Sequence, residues 1–118
     1  MSKKVIVVDD SAPVRQQVGI ALGEAGFQVV EAVDGRDAVD KIEAQRDIAM
    51  VICDINMPRM NGLDVLKRIG KRLPVLMLTT EGQLEMKRQA KELGAKGWII
   101  KPFKADVLVA AVKQLVGS

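Results

Sequence analysis

Five short apolar runs, at residues 5–8, 27–30, 50–53, 75–78 and 98–100, constrain the fold more than any other feature of the chain. Each is too short for a helix, and between them apolar residues recur at helical spacing. The recurring sets are Val14, Val18 and Leu22; Ala38, Val39 and Ile42; Leu63, Leu66 and Ile69; Met86, Ala90 and Leu93; and Leu108, Ala111, Val112 and Leu115. The chain therefore alternates β and α five times. Gly26 and Gly94 fall where a left-handed C-terminal cap is expected, and Ser11 with Pro13 marks a helix start. Alternation of this kind predicts an α/β domain: a parallel sheet with helices on both faces, whose strands lack the polar alternation of a half-exposed strand. Right-handed crossovers leave few topologies. The favoured one is a doubly wound (βα)5 sheet of order 2-1-3-4-5, taken from the known behaviour of such sheets rather than derived from the pattern. It reverses direction between strands 1 and 3, and ligands bind there, beyond the carboxyl ends of the strands.

With 118 residues, 48% of them hydrophobic, the chain has one domain's worth of core. Folding at this size buries roughly two thirds of the unfolded surface. No linker, repeat or low-complexity segment interrupts it, so residues 1–118 are expected to form a single domain. The opening MSKK leads into only four apolar residues before two aspartates, far short of the ~20 that a membrane span needs. A soluble, cytoplasmic protein without membrane insertion is expected. The one cysteine, Cys53, has no partner for an internal disulfide and reads as a small core hydrophobe. The net charge of +3 comes from basic residues scattered among acidic ones, with no base-stacking aromatic array, which argues against a nucleic-acid partner. There is no histidine, which excludes His-based catalysis, His metal sites and any phosphohistidine on this chain.

The stretch MVICDINMPRMNG, residues 50–62, ends an apolar run on a lone carboxylate, Asp54, before a loop rich in Pro and Gly. An unpaired carboxylate inside a buried strand suffers a large desolvation penalty, so Asp54 must sit at the strand's end or be neutralised. The other carboxyl ends are polar as well: Asp9 and Asp10 after strand 1, Thr79 and Thr80 after strand 4, Lys101 and then Pro102 after strand 5. Singly, such residues do no more than begin loops. Together they bring three acids, two hydroxyls and one amine to one rim, where carboxylates that repel one another suit a hard divalent cation such as Mg²⁺. Lys101 is a point-charge partner for a phosphate and Thr79 a hydroxyl donor. A carboxylate can itself be the nucleophile, and Asp54, in the middle of the rim, is the candidate to form an aspartyl phosphate.

At these residues the sequence resembles the receiver domain of bacterial two-component response regulators, and is most similar to the single-domain chemotaxis (CheY-like) type. VDDS, CDINMPRMNG, LPVLMLTTEG and GAKGWIIKPF occur in that order along the chain. The resemblance implies a flavodoxin-like fold and a regulatory phosphoacceptor rather than an enzyme, limited to self-phosphorylation from donors and autodephosphorylation. By it, Asp54 accepts the phosphoryl group from a histidine kinase's phosphohistidine. Asp10, Asp54 and the main-chain carbonyl of Asn56 bind Mg²⁺, with Asp9 acting through water, while Thr79 and Lys101 contact the phosphoryl oxygens. The Lys101–Pro102 bond is expected to be cis. The aromatic switch position of strand 5, often Tyr in the family, is Trp98 here. The implied partners of this monomeric switch are the kinase, a downstream target such as a flagellar switch component, and a phosphatase.

The output surface is expected on helix 4, strand 5 and helix 5. Val109 and Val116 lie to one side of the helix 5 stripe and repeat at seven residues, which reads as an exposed apolar patch. Lys87, Lys91 and Lys113 are expected to flank it, with Trp98 between the two helices. Three rival readings fit less well. A Mg²⁺-dependent phosphatase with an aspartate nucleophile needs a second acid where this chain has Asn56, an amide that cannot protonate a leaving group. A nucleotide- or flavin-binding module needs a phosphate loop where the sequence reads DDSAPV. A DNA-binding regulator needs an output domain, and none is expected after helix 5. A stand-alone receiver in a phosphorelay other than chemotaxis stays open.

Overall fold

The computed structural model describes residues 3–55, 57, 60–70, 72–80 and 84–116. Strands and helices alternate in the order β1 (Lys4–Val8), α1 (Ala12–Glu24), β2 (Gln28–Ala32), α2 (Gly35–Ala44), β3 (Ile48–Asp54), α3 (Gly62–Ile69), β4 (Val75–Thr79), α4 (Leu84–Glu92), β5 (Gly97–Ile100) and α5 (Ala105–Val116). All strand pairs are parallel and the sheet order is β2-β1-β3-β4-β5, as the doubly wound reading predicts. The helices divide between the two faces. Ile6, Val8, Val51, Cys53, Val75 and Met77 pack with the buried sides of α2, α3 and α4. Val5, Val7, Met50, Ile52, Leu76 and Leu78 pack with α1 and α5. Burial on both faces is why the central strands read as unbroken apolar runs. No helix among the described residues is long and apolar enough to cross a membrane.

Local chemistry sets the element ends. Ser11 caps α1, its hydroxyl accepting from the Val14 N–H at 3.4 Å, and Pro13 occupies the first turn. At the other end Gly26 takes φ 95°, so that its N–H reaches the Gly23 carbonyl and the Phe27 N–H the Leu22 carbonyl. This pair of bonds is the Schellman closure, and Gly94 closes α4 in the same way at φ 101°. The closure at Gly26 also corrects the second strand. Phe27, expected inside it, belongs to the cap of α1, and β2 starts at Gln28.

Helix α5 differs from expectation more sharply. Its buried row is Leu108, Val112 and Val116, spaced four residues apart. Val116, expected on an exposed patch, is therefore a core residue. Val109 is half-buried against the same layer and, with Lys113, lines a depression shared with Ala21 of α1. Both lie on the α1 side of α5, because the row contacting the sheet follows the i, i+4 ridge and turns that flank toward α1.

Candidate functional site

Parallel register brings the carboxyl ends level. Val8 pairs with Cys53, Asp54 with Leu78, and Thr79 with Ile100. Asp9, Asp54, Thr79 and Lys101 therefore follow one another along a single edge of the sheet, in the strand order β1, β3, β4, β5. Asp9 is 0% exposed, Asp54 6% and Thr79 3%, whereas Asp10 is exposed. Anions buried to this degree need partners. Lys101 supplies one: its ammonium lies 2.8 Å from Asp9 Oδ2 and 3.4 Å from Asp54 Oδ1. Asp9 Oδ1 accepts the Ser11 N–H at 2.9 Å, which ties the carboxylate to the start of α1.

The electrostatics follow from that geometry. Burial works against the Lys101 charge, but the hydrogen bond to Asp9 and the charges of Asp54 and Asp9 outweigh it and hold the ammonium's pKa above its ordinary value. At Cys53 the charged form is disfavoured instead. Burial first, then the Asp54 and Asp9 charges, push its thiol well up, and it donates to the Asp54 carbonyl at 3.3 Å. It is an inert core thiol. The Lys101–Pro102 peptide bond is cis.

One ligand atom each from Asp9, Asp10 and Asp54 lies within 4.8 Å of the others. A single ammonium cannot balance three carboxylates so close together, and an all-oxygen set of this kind fits a hard cation such as Mg²⁺. Asn56, expected to add its carbonyl, lies outside the described residues. The start of α3 presses on this site from behind. A Cβ at Gly62 would stand 2.5 Å from the Asp54 carbonyl oxygen, and the Gly62 N–H bonds the Ile55 carbonyl at 3.1 Å.

Away from the acidic edge, Lys87 of α4 sets its ammonium 4.3 Å from the centre of the Trp98 ring, a cation–π contact. With Glu85, Arg88 and Lys91 the two line a shallow depression of about 490 Å³ between α4 and β5. Lys87, Lys91 and Trp98 are thus brought together as expected, while Val109, Val116 and Lys113 are not part of this surface.

Sequence reasoning missed Arg15, which reaches the Asp9 carbonyl, and Glu31, which holds Arg15. One signal was present: a cation near a helix N-terminus opposes the helix dipole and calls for another partner. It also missed Gly35, whose N–H bonds the Met60 carbonyl and where a Cβ would meet that oxygen at 2.5 Å. Contact between segments so distant in sequence has no local signature.

A doubly wound sheet with buried aspartates at the reversal and a lysine spanning two of them is the architecture of a phosphorelay receiver. The chain belongs to the response regulator receiver domain family, whose model matches residues 5–113. It is 36% identical to chemotaxis protein CheY1 of Helicobacter pylori over 98% of both chains. It is 33% identical to sporulation initiation phosphotransferase F of Bacillus subtilis over 97% of this chain and 94% of the relative. Among solved structures, Vibrio cholerae chemotaxis protein CheY4 is similar with a TM-score of 0.90 and 39% identity, covering 98% of this chain and 99% of that one. Receiver domains are signalling regulators rather than classical enzymes, and they take phosphoryl groups from histidine kinases and act on downstream targets.

Proposed function

We propose that this chain acts as a phosphoryl-accepting switch with Asp54 as the acceptor. An Asp54 carboxylate oxygen attacks the phosphorus of a kinase's phosphohistidine, the P–N bond breaks, and the imidazole leaves with the electron pair and takes up a proton. Asp10, Asp54 and the Asn56 carbonyl would hold Mg²⁺, with Asp9 acting through water. When bound, the cation supplies charge neutralisation at the transferring group. Lys101 and Thr79 contact the phosphoryl oxygens. The observation that supports this reading is the reach of Lys101 across β4 to Asp54 at 3.4 Å, which sets a cation beside the acceptor oxygen. Asp9, fully buried and bonded to Lys101 and Ser11, is less free to ligate directly than the exposed Asp10.

Acetyl phosphate with Mg²⁺ should add one phosphoryl group in the intact mass, and Asp54→Asn should abolish it. Undiminished labelling of that variant would refute the assignment. Asp10→Ala should weaken Mg²⁺ binding more than Asp9→Ala does.

For output, the reading is that phosphorylation draws Thr79 toward the new oxygens and favours an alternative arrangement of α4 and Trp98. The basic rim of Lys87 and Lys91 around the Trp98 ring suits an amphipathic partner segment with acidic flanks. The names of the Helicobacter and Vibrio relatives support chemotaxis; on that reading the target is a flagellar switch component and a phosphatase resets the signal. The sporulation relative supports a second reading, a different phosphorelay. Phosphorylation-dependent capture of a flagellar switch protein favours the first, and transfer from Asp54 onward to a phosphotransferase histidine favours the second. Lys91→Glu should weaken target binding without changing the labelling of Asp54, and wild-type affinity in that variant would move the output surface elsewhere.

A further inference from the structure

Arg15 leaves α1 near its N-terminus and turns back over the helix start toward the sheet. Its Nη1 donates to the Asp9 carbonyl at 2.6 Å, and its Nε donates to Glu31 Oε1 of β2 at 3.0 Å. The Arg15 side chain is only 13% exposed, against 51% for Glu31, so the guanidinium is committed to this position. Asp9 is thereby held at each of its polar groups: its N–H donates to the Ala32 carbonyl, its carbonyl accepts from Arg15, and its two carboxylate oxygens accept from Ser11 and Lys101. The Asp9 carbonyl and the Asp10 N–H share one rigid peptide plane. Fixing that oxygen fixes the direction in which the chain enters Asp10, the exposed member of the acidic cluster, which has no such burial to orient it.

We infer that Arg15, steered by Glu31, is a positioning residue that sets the Asp9–Asp10 peptide plane and thereby the divalent-cation affinity of the cluster. This rests on the phosphoacceptor reading of the site. Two effects of Arg15 have opposite signs, which makes the inference sharp. As a positive charge close to the acids, Arg15 repels a cation, so if it acted only electrostatically its removal would tighten cation binding. As a positioning group, its removal loosens the cluster and weakens binding.

The test is Mn²⁺ affinity, read by electron paramagnetic resonance titration of the full chain without phosphodonor, with folding checked by circular dichroism. Loss of a group that orients metal ligands costs on the order of tenfold or more in affinity, and Arg15→Gln should weaken binding by about that factor. Arg15→Lys keeps the charge but not the two-directional fork and should restore little of it. Glu31→Ala, at an exposed position that folding tolerates, should weaken binding about threefold, a smaller share of the same outer-shell effect. Glu31→Gln keeps an acceptor for Nε and should match wild type. Unchanged or tighter binding in Arg15→Gln, or wild-type binding in Glu31→Ala, overturns the positioning role alone. Absence of saturable Mn²⁺ uptake by the wild type overturns the metal reading of the site and this inference with it.

Discussion

In the absence of divalent cation, Asp54→Asn should make the protein more stable. The three carboxylates of the cluster hold ligand atoms within 4.8 Å of one another, while Lys101 approaches Asp54 at 3.4 Å. At an effective dielectric constant of about 20, each repulsion involving Asp54 is worth about 3.5 kcal/mol and the lysine attraction about 5 kcal/mol. Among these charges alone, two repulsions against one attraction leave about 2 kcal/mol favouring neutralisation. Solvent screening of the exposed Asp10 trims that figure, and relief of the desolvation of Asp54 adds to it. Asn keeps the shape and an acceptor for Lys101, so packing is unchanged. The expected gain is about 1–2 kcal/mol, or roughly 3–10 °C in Tm for a domain of this size. Urea and thermal unfolding with chelator would measure it. Saturating Mg²⁺ should then close the gap, because at a hundredfold excess over Kd a ligand adds about 2.7 kcal/mol to the form that binds it, and the variant has lost a ligand. An Asp54→Asn protein less stable than wild type in chelator would mean that Lys101 and the other partners of Asp54 already satisfy the cluster, and the electrostatic case for a cation would fail.

Gly19 and Gly23 lie inside α1 with open space where a Cβ would stand; replacing both by Ala should therefore stabilise the protein by about 1–2 kcal/mol, and a Tm at or below wild type in the double variant would contradict this. The pKa of Lys101 is raised in the folded state, so the stability it contributes is fully present below the unfolded value of about 10.4 and is lost as pH rises through the higher folded value. Lys101→Met should accordingly lack that part of the alkaline unfolding limb, and superimposable limbs would contradict the pairing. Buried, with its thiol held protonated, Cys53 should alkylate with iodoacetamide only as fast as the protein unfolds, and rapid native-state labelling would contradict its burial.

The architecture was legible because every central strand is buried on both faces and so leaves an uninterrupted apolar run, and because Asp9, Asp54, Thr79 and Lys101 each follow or end such a run. Strand ends in a parallel sheet are brought level by register, so residues that look unrelated along the chain meet at one edge. Edges of elements were less legible. Phe27 is as apolar as its neighbours, and only the bond from its N–H to Leu22 assigns it to the cap of α1. On α5 the spacing of Val109 and Val116 carries no mark of which neighbour each one faces; only the packing of the helix against the sheet and α1 decides that. The grip of Arg15 on Asp9 was illegible for another reason, since a side chain reaching a main-chain carbonyl leaves no residue-type partner to find.

The stacking of Lys87 on Trp98 has an optical corollary. The chain has one tryptophan and no tyrosine, so its near-ultraviolet emission arises from a single indole, seated on β5 beneath a lysine ammonium from α4. Indole emission shifts when a nearby charge moves along the ring's excited-state dipole. Lifting Lys87 away from the ring, whether by a partner docking at α4 or by a rearrangement that starts at the acidic edge, should therefore change both colour and lifetime. The protein thus carries its own spectroscopic probe on the α4–β5 surface, to which the proposed function assigns the output of Asp54.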